Sequence, residues 1–353
     1  MNIDTEKLHS FLGKMVGDMG ATASGALVVL GDRLGLFAAV AEAGGGTPEE
    51  IATAAGNLDE RYVREWLSCM AASGYVEYDG STETFAMTPE QAAVFAVPHS
   101  PALLTGGYYG IASMFIDEPK IAKAFQSGNG VGWGDHHSCL FCGVERFFRP
   151  GYEANLTTDW IPSLTGAREK LVRGARVADV GCGHGCSTSI MAKAFPNSEF
   201  IGFDPHEPSV VAARKIAADE GVSNVRFEVG TAQDFPGDNY DLVACFDCLH
   251  DMGDPAGAAA HIRETLNDDG SWLIVEPMAG DTLAENLNPV GRLYYAFSTM
   301  ICTPAAKSQD VGLALGAQAG EKRLRDVVTS GGGFSQFRRA AETPFNLILE
   351  ARI

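Results

Sequence analysis

Two stretches of this chain carry residue types and spacings that could do chemistry. The first is Ala178-Asp179-Val180-Gly181-Cys182-Gly183-His184-Gly185. Its glycines allow a sharp backbone turn and close approach to a ligand. A dinucleotide fingerprint places glycine first, third and sixth. Counted from Gly181, the sixth place is Cys186, and Gly185 stands at the fifth. An acid, Asp179, also opens the run. Both departures point away from a pyrophosphate cradle and toward a nucleoside without phosphates. Asp204 ends the next apolar run, Phe200-Ile201-Gly202-Phe203-Asp204, 19 positions after Gly185. A carboxylate at such a strand end can accept hydrogen bonds from both ribose hydroxyls, as it does in NAD-binding proteins. The plainer reading of Asp204, before Pro205, is a helix cap.

The second stretch is Leu249-His250-Asp251-Met252-x-Asp254, with Glu276 further on. An imidazole titrates near neutrality and suits proton abstraction from a hydroxyl, a contribution of about 10²–10⁴-fold. Asp251 or Glu276 could fix its tautomer. The plainer reading of His250 is a histidine that packs, or caps the helix begun at Asp254.

These residues need a scaffold, and the rhythm of the chain supplies one. From Arg176 on, strands and helices alternate. Strands are expected at 177–180, 199–203, 225–229, 242–246 and 271–276, with a closing hairpin over 337–341 and 345–351. Repeated βα units imply a parallel sheet with helices on both faces. The hairpin adds an antiparallel strand, because its connection is too short for a crossover. The first third reads as helices and a small hairpin. Residues 23–43 form one Ala-rich helix broken at Gly44-Gly45-Gly46. Thr47-Pro48-Glu49-Glu50 and Thr88-Pro89-Glu90-Gln91 are capping-box starts. Val63, Trp66, Leu67 and Met70 give the intervening helix one apolar face. Helices followed by a hairpin in this order form a winged helix. Residues 99–165, rich in aromatics and glycine, read as helices and loops that could wall a binding cavity.

Taken together, Asp179-x-Gly181-x-Gly183-x-Gly185, Asp204, the closing hairpin and the winged-helix start resemble class I S-adenosylmethionine-dependent methyltransferases. The chain is similar to the small-molecule O-methyltransferase type, in which the N-terminal module serves dimerisation. The resemblance implies an α/β Rossmann-like seven-stranded sheet of order 3-2-1-4-5-7-6, with strand 7 antiparallel, behind a mainly α winged-helix domain. It implies a winged-helix and dimerisation domain at 1–98, a linker and substrate-cavity segment at 99–165, and a cofactor-binding domain at 166–353. S-adenosyl-L-methionine is the implied cofactor, held by Asp179, Gly181, Cys182, Gly183, Gly185, Asp204 and Pro205. The adenine contacts fall on Thr231, Ala232, Gln233 and Asp234, with Thr231 where many members carry an acid. The methionine part falls on Phe246 and Asp247. His250 takes the place of the proton-abstracting base and Glu276 that of the acid orienting it. Met252 stands where the family run has Trp.

Composition narrows the partners. Among 353 residues, 26 Lys and Arg face 45 Asp and Glu, a net charge of −19. Over residues 1–98 five bases face fourteen acids. A DNA reader needs several phosphate-neutralising cations, so the winged helix reads poorly as a nucleic-acid module. A transcriptional regulator and a cofactor-binding fold without catalysis are the competing functions. The expected partners are a small-molecule methyl acceptor and a second copy of the chain, without nucleic acid or membrane. No run approaches ~18 apolar residues. The start, Met1 to Lys7, lacks a secretory pattern, so the eight cysteines are expected as reduced thiols in a cytoplasm. His136, His137, Cys139 and Cys142 carry zinc-ligand types. They lack a second pair at fitting spacing, so no metal is expected.

Overall fold

In the computed structural model, which describes residues 3–353, the chain divides into two compact units. One holds the N-terminal residues to Ala112 with Cys142–Pro150; the other holds Ser113–Phe141 and Gly151–Ile353. Segment 99–165 is therefore shared between the two units.

The first unit begins with α1 (Thr5–Arg33), whose leading amides at Glu6 and Lys7 are capped by the Asp4 carboxylate. The expected single helix over 23–43 is two: α1 ends at Arg33, and α2 is Leu36–Ala43. Gly35 between them has φ of 70°. That left-handed conformation would cost another residue about 1–2 kcal/mol, and it turns the chain although the apolar period continues through it. Next come α3 (Pro48–Ala54), α4 (Glu60–Ala72), the hairpin β1 (Glu77–Asp79) and β2 (Thr84–Ala86), and α5 (Pro89–Phe95). Both expected capping boxes form, Thr47 with Glu50 and Thr88 with Gln91. The core gathers the α4 face around Trp66, whose Nε1 donates to the Leu27 carbonyl at 2.8 Å. Gly31 makes that approach possible, since a Cβ there would lie 2.4 Å from the indole. By contrast, the leading half of α1 leaves Leu8, Phe11, Leu12, Val16 and Met19 exposed.

Two helices, α6 (Thr105–Ser127) and α7 (Cys139–Asn155), each contribute residues to both units. The second unit continues with α8 (Ile161–Ser163), α9 (Ala167–Arg173), β3 (Arg176–Val180), α10 (Cys186–Ala194), β4 (Glu199–Asp204), α11 (Glu207–Asp219), β5 (Val225–Val229), β6 (Tyr240–Phe246), α12 (Pro255–Thr265) and β7 (Leu266–Pro277). Three further helices, α13 (Pro289–Phe297), α14 (Thr303–Lys307) and α15 (Gly320–Asp326), precede the hairpin β8 (Gln336–Glu342) and β9 (Asn346–Arg352).

The seven strands lie in the order β5-β4-β3-β6-β7-β9-β8. Only β9 runs against its neighbours β7 and β8, which is the 3-2-1-4-5-7-6 pattern with an antiparallel seventh strand. Strand β7 starts five residues before the expected Ser271, because Leu266 already pairs with Tyr240 before a register shift. Strands β3, β6, β7 and β9 are buried almost throughout, as a sheet covered on both faces requires. Glu350, buried in β9, is satisfied by the Thr165 amide and hydroxyl, Ser271 and Arg338. Parallel strands β3, β4, β5, β6 and β7 all end on one rim, and Asp179, Asp204, Phe246 and Glu276 stand in the last residues of β3, β4, β6 and β7.

Candidate active site

The glycine turn is bolted to the end of β4. The amides of Gly181 and Cys182 both donate to the Phe203 carbonyl, at 2.8 and 3.0 Å. The Gly183 amide donates to Asp204 Oδ2 at 2.9 Å, and the His206 amide to Oδ1 at 2.9 Å. Gly181 and Gly185 have φ of 79° and 75°, and Cβ atoms there would lie 2.7 Å from Cys248 Sγ and 2.5 Å from the Phe227 ring. A Cβ on Gly183 would meet nothing within 4 Å, so the space above the loop is open. Cys182 is buried against Phe227 and Val210. Asp204 is 7% exposed; burial raises its pKa, opposed by the two amides. It does not cap α11, whose cap position is His206. Pro205 beside it is exposed.

Asp179 lies beneath this loop. Its Oδ2 accepts from Ser187 Oγ at 2.7 Å and Thr188 Oγ1 at 2.6 Å, while Oδ1 is buried without a partner. Burial pushes its pKa up to about 6, against the pull of the two hydroxyls. At the end of β5, the Thr231 amide and hydroxyl donate to Asp234 Oδ1 at 2.9 and 2.6 Å. Ala232 is buried in the main core, and Gln233 donates to the Asp254 carbonyl at 3.1 Å.

Phe246 ends β6 and is packed by the Tyr152 ring at 5.3 Å. Asp247 follows at φ of 51°. Its Oδ2 accepts from the Tyr152 hydroxyl and its Oδ1 from Asn346 Nδ2, both at 2.9 Å. Burial first, and the Glu276 charge second, push the Asp247 pKa up to about 8.

His250 is 3% exposed, in the turn Leu249–Asp251. Its Nδ1 is 2.6 Å from Glu276 Oε2, and the Leu249 amide donates to Oε1 at 2.9 Å. Glu276 thus fixes both the ring and the turn that carries it. Nε2 lies 3.2 Å from Asp251 Oδ1, an ion-pair distance without hydrogen-bond geometry. Burial works against the charged ring, but Glu276 and Asp251 together outweigh it and hold the pKa well above the ordinary imidazole value. Cys302 joins them: its sulfur and the ligand atoms of His250 and Asp251 lie within 4.8 Å of one another. His250 does not cap α12, because Asp254 does so through the Gly257 amide at 2.8 Å.

Sequence reading missed Tyr152, Asn346 and Cys302. Only Tyr152 carried a signal, its place in an aromatic run without a motif. The four residues from His136 to Cys142 are otherwise engaged. His136 faces Asp117, His137 Nδ1 accepts from the Cys139 amide at 3.2 Å, and Cys142 belongs to the other unit.

Comparison with known proteins adds the following. Residues 171–327 match a family described as Methyltransferase domain, and residues 22–96 one described as Rv2258c-like winged HTH domain. The chain is similar to the uncharacterized methyltransferase YcgJ of Bacillus subtilis, with 34% identity over 33% of this chain and 47% of that one. It spans about half the length of the curated relatives it matches. Its fold is similar to an O-methyltransferase family protein from Burkholderia thailandensis, with TM-score 0.68 and 17% identity over 100% of this chain and 99% of that one. It is also similar to human N-acetylserotonin methyltransferase in complex with SAM, with TM-score 0.67 and 18% identity over 100% and 99%.

The Asp247 environment has a measurable consequence. The folded protein keeps this proton up to about pH 8, whereas the ordinary value is 3.8. Stability from this group is therefore full below the ordinary value and is lost as pH rises through the folded one. Denaturant titrations from acid to alkaline pH are expected to show Asp247→Asn gaining on the parent across that window. Parallel stability curves for the two proteins would refute the assignment.

Proposed function

We propose that this chain, in which a methyltransferase domain follows a winged-helix domain, binds S-adenosylmethionine and methylates a hydroxyl on a small or medium-sized, largely apolar acceptor. The observation that carries the catalytic part is the His250 Nδ1–Glu276 contact of 2.6 Å. It joins the turn after β6 to the last residues of β7, on the rim that also carries the Asp204-clasped glycine loop.

The donor set fits this cofactor. Asp179 and Asp204, at the ends of β3 and β4, suit a cationic nucleoside and would repel a pyrophosphate. Asp204 keeps acceptor capacity beyond its two amides and would take the ribose hydroxyls. The unpartnered Asp179 Oδ1 at the loop's root suits an ammonium. Gly181, Cys182, Gly183, Gly185 and Pro205 would line the loop. Thr231, Ala232, Gln233 and Asp234 would border the adenine, and Phe246 and Asp247 the methionine part. S-adenosylmethionine, when bound, supplies an electrophilic methyl on a sulfonium that leaves as a neutral thioether.

The protein's task is then to aim a nucleophilic oxygen and take its proton. With Nδ1–H held by Glu276, Nε2 is the basic atom of His250. It accepts the hydroxyl proton, and Glu276 and Asp251 stabilise the imidazolium that forms. The same two acids raise the ring's proton affinity, so its basic form prevails only above the ordinary imidazole range.

The winged helix takes an assembly role in this reading. On α4, Arg61 pairs with Glu65 and Arg64 with Glu60, so acids of the same helix offset both cations. The exposed apolar residues of α1 are the surface for a second copy of the chain. Among the described residues no single helix is long and apolar enough to cross a membrane. The eight cysteines form no disulfide among the described residues, which suits the reducing cytoplasm.

Three experiments test these points. Asp204→Ala is expected to weaken S-adenosylmethionine binding at least tenfold by calorimetry, since hydrogen bonds to a charged acceptor contribute about 1.5–3 kcal/mol each. Unchanged affinity would remove Asp204 from the site. His250→Ala, assayed against phenols, flavonoid-like compounds and fatty acids, is expected to lose about 10²–10⁴-fold in turnover with cofactor affinity intact. Turnover within a few-fold of the parent would assign the rate to positioning alone. Sedimentation at micromolar concentration is expected to give a dimer that Phe11→Lys with Val16→Lys dissociates; a monomeric parent refutes the assembly.

A further inference from the structure

His136 has no part in the proton transfer above, yet its surroundings are built with care. The ring is 6% exposed and its Nδ1 lies 3.2 Å from Asp117 Oδ2. Asp117, on α6 and 1% exposed, also accepts from the His137 amide at 2.8 Å and from Lys120 Nζ at 2.7 Å. Lys120 in turn donates to the Asp135 carbonyl at 2.6 Å. An ionised carboxylate only accepts, so the ring proton belongs on Nδ1 and the Nε2 lone pair is left free. That Nε2 is buried and has no partner. Several groups are thus committed to orienting a ring whose other nitrogen has no hydrogen-bond partner, which native interiors seldom tolerate.

The segment that carries His136 is fastened to both flanks of the site. The Val131 amide donates to the Pro304 carbonyl at 3.0 Å, at the start of α14 and two residues from Cys302. At the other end Phe141 stacks on His206 at 4.9 Å, two residues from Asp204. Asp251 is close enough for its charge to act on His136. Trp133 stands edge-on to His136 and to Phe141, at 6.5 and 5.7 Å, giving the segment an aromatic flank. Burial, the dominant influence, lowers the ring's pKa against the pull of Asp117 and keeps it neutral.

We propose that His136 is an acceptor-binding residue whose Nε2 takes a hydrogen bond from a second protic group on the methyl acceptor, a hydroxyl or N–H other than the one methylated. The substrate class is then an apolar, ring-bearing molecule with two such groups. This rests on the methyltransferase reading. A site with a buried acceptor discriminates against an analogue without the matching donor, because the site group is then left unpaired.

The test uses the full chain loaded with S-adenosylhomocysteine, with phenol and the three benzenediols as probes, read by calorimetry. At least one diol is expected to bind the parent about tenfold more tightly than phenol, as expected for a paired against an unpaired site group. His136→Phe is expected to abolish that preference while leaving phenol and S-adenosylhomocysteine affinities unchanged. His136→Gln keeps an N–H for Asp117 and a carbonyl for the ligand, and is expected to retain most of it. Should His136→Phe not fold, Asp117→Asn, which no longer forces the tautomer, must reduce the preference. A parent without diol preference, or a preference that survives in His136→Phe, overturns the proposal. Failure of the parent to bind S-adenosylhomocysteine overturns the underlying reading as well, and is seen before any diol is added.

Discussion

Four carboxylates brought to one rim of a buried sheet are the constraint from which most of the site's architecture follows. Asp179, Asp204, Asp247 and Glu276 stand at or just past the ends of β3, β4, β6 and β7. A carboxylate taken out of water is costly unless hydrogen bonds or charge meet it. Each is met differently: Asp179 by two hydroxyls, Asp204 by two amides, Asp247 by a phenol and a carboxamide, Glu276 by an amide and an imidazole. Meeting those needs folds the glycine turn onto β4 and ties the histidine turn to β7. The electrostatic character of the rim and its backbone geometry therefore have one cause.

The same reasoning separates the two buried histidines of the second unit. His250 faces two acids, Glu276 and Asp251, and their summed charge outweighs burial. His136 meets Asp117, whose charge is already shared with Lys120 and a backbone amide, and Asp251 only as a minor influence, and there burial prevails. One ring is drawn toward the imidazolium and the other is kept as a neutral acceptor. The difference lies in how many uncompensated acids each ring meets, since both are histidine–carboxylate pairs of similar burial.

In the winged-helix unit the apolar side of α4 is used entirely for packing around Trp66. Its polar side is occupied by ion pairs along the helix, which at exposed positions contribute little to stability, ~0.3–0.5 kcal/mol each. What distinguishes this unit physically is the leading half of α1, whose large apolar side chains are exposed.

Much of this was legible in the amino-acid sequence, because local chemistry writes local structure. Glycines at 181, 183 and 185, capping boxes at Thr47 and Thr88, and apolar runs bounded by turn residues each act within a few residues of themselves. The strand–helix alternation and the closing hairpin followed from such signals, and the strand order from a family resemblance those signals support. The break at Gly35 escaped because the apolar period runs through it, and only the left-handed backbone shows the turn. The partners of the buried acids escaped for a deeper reason. Tyr152 and Asn346 meet Asp247 across 95 and 99 residues of chain. Nothing local could choose Glu276 over Asp251 as the hydrogen-bond partner of His250 Nδ1, or give His136 to Asp117. The sequence by itself determined which residue types reach the rim. Which of them touch was decided by tertiary packing, because strand pairing and helix docking set distances between side chains far apart along the chain.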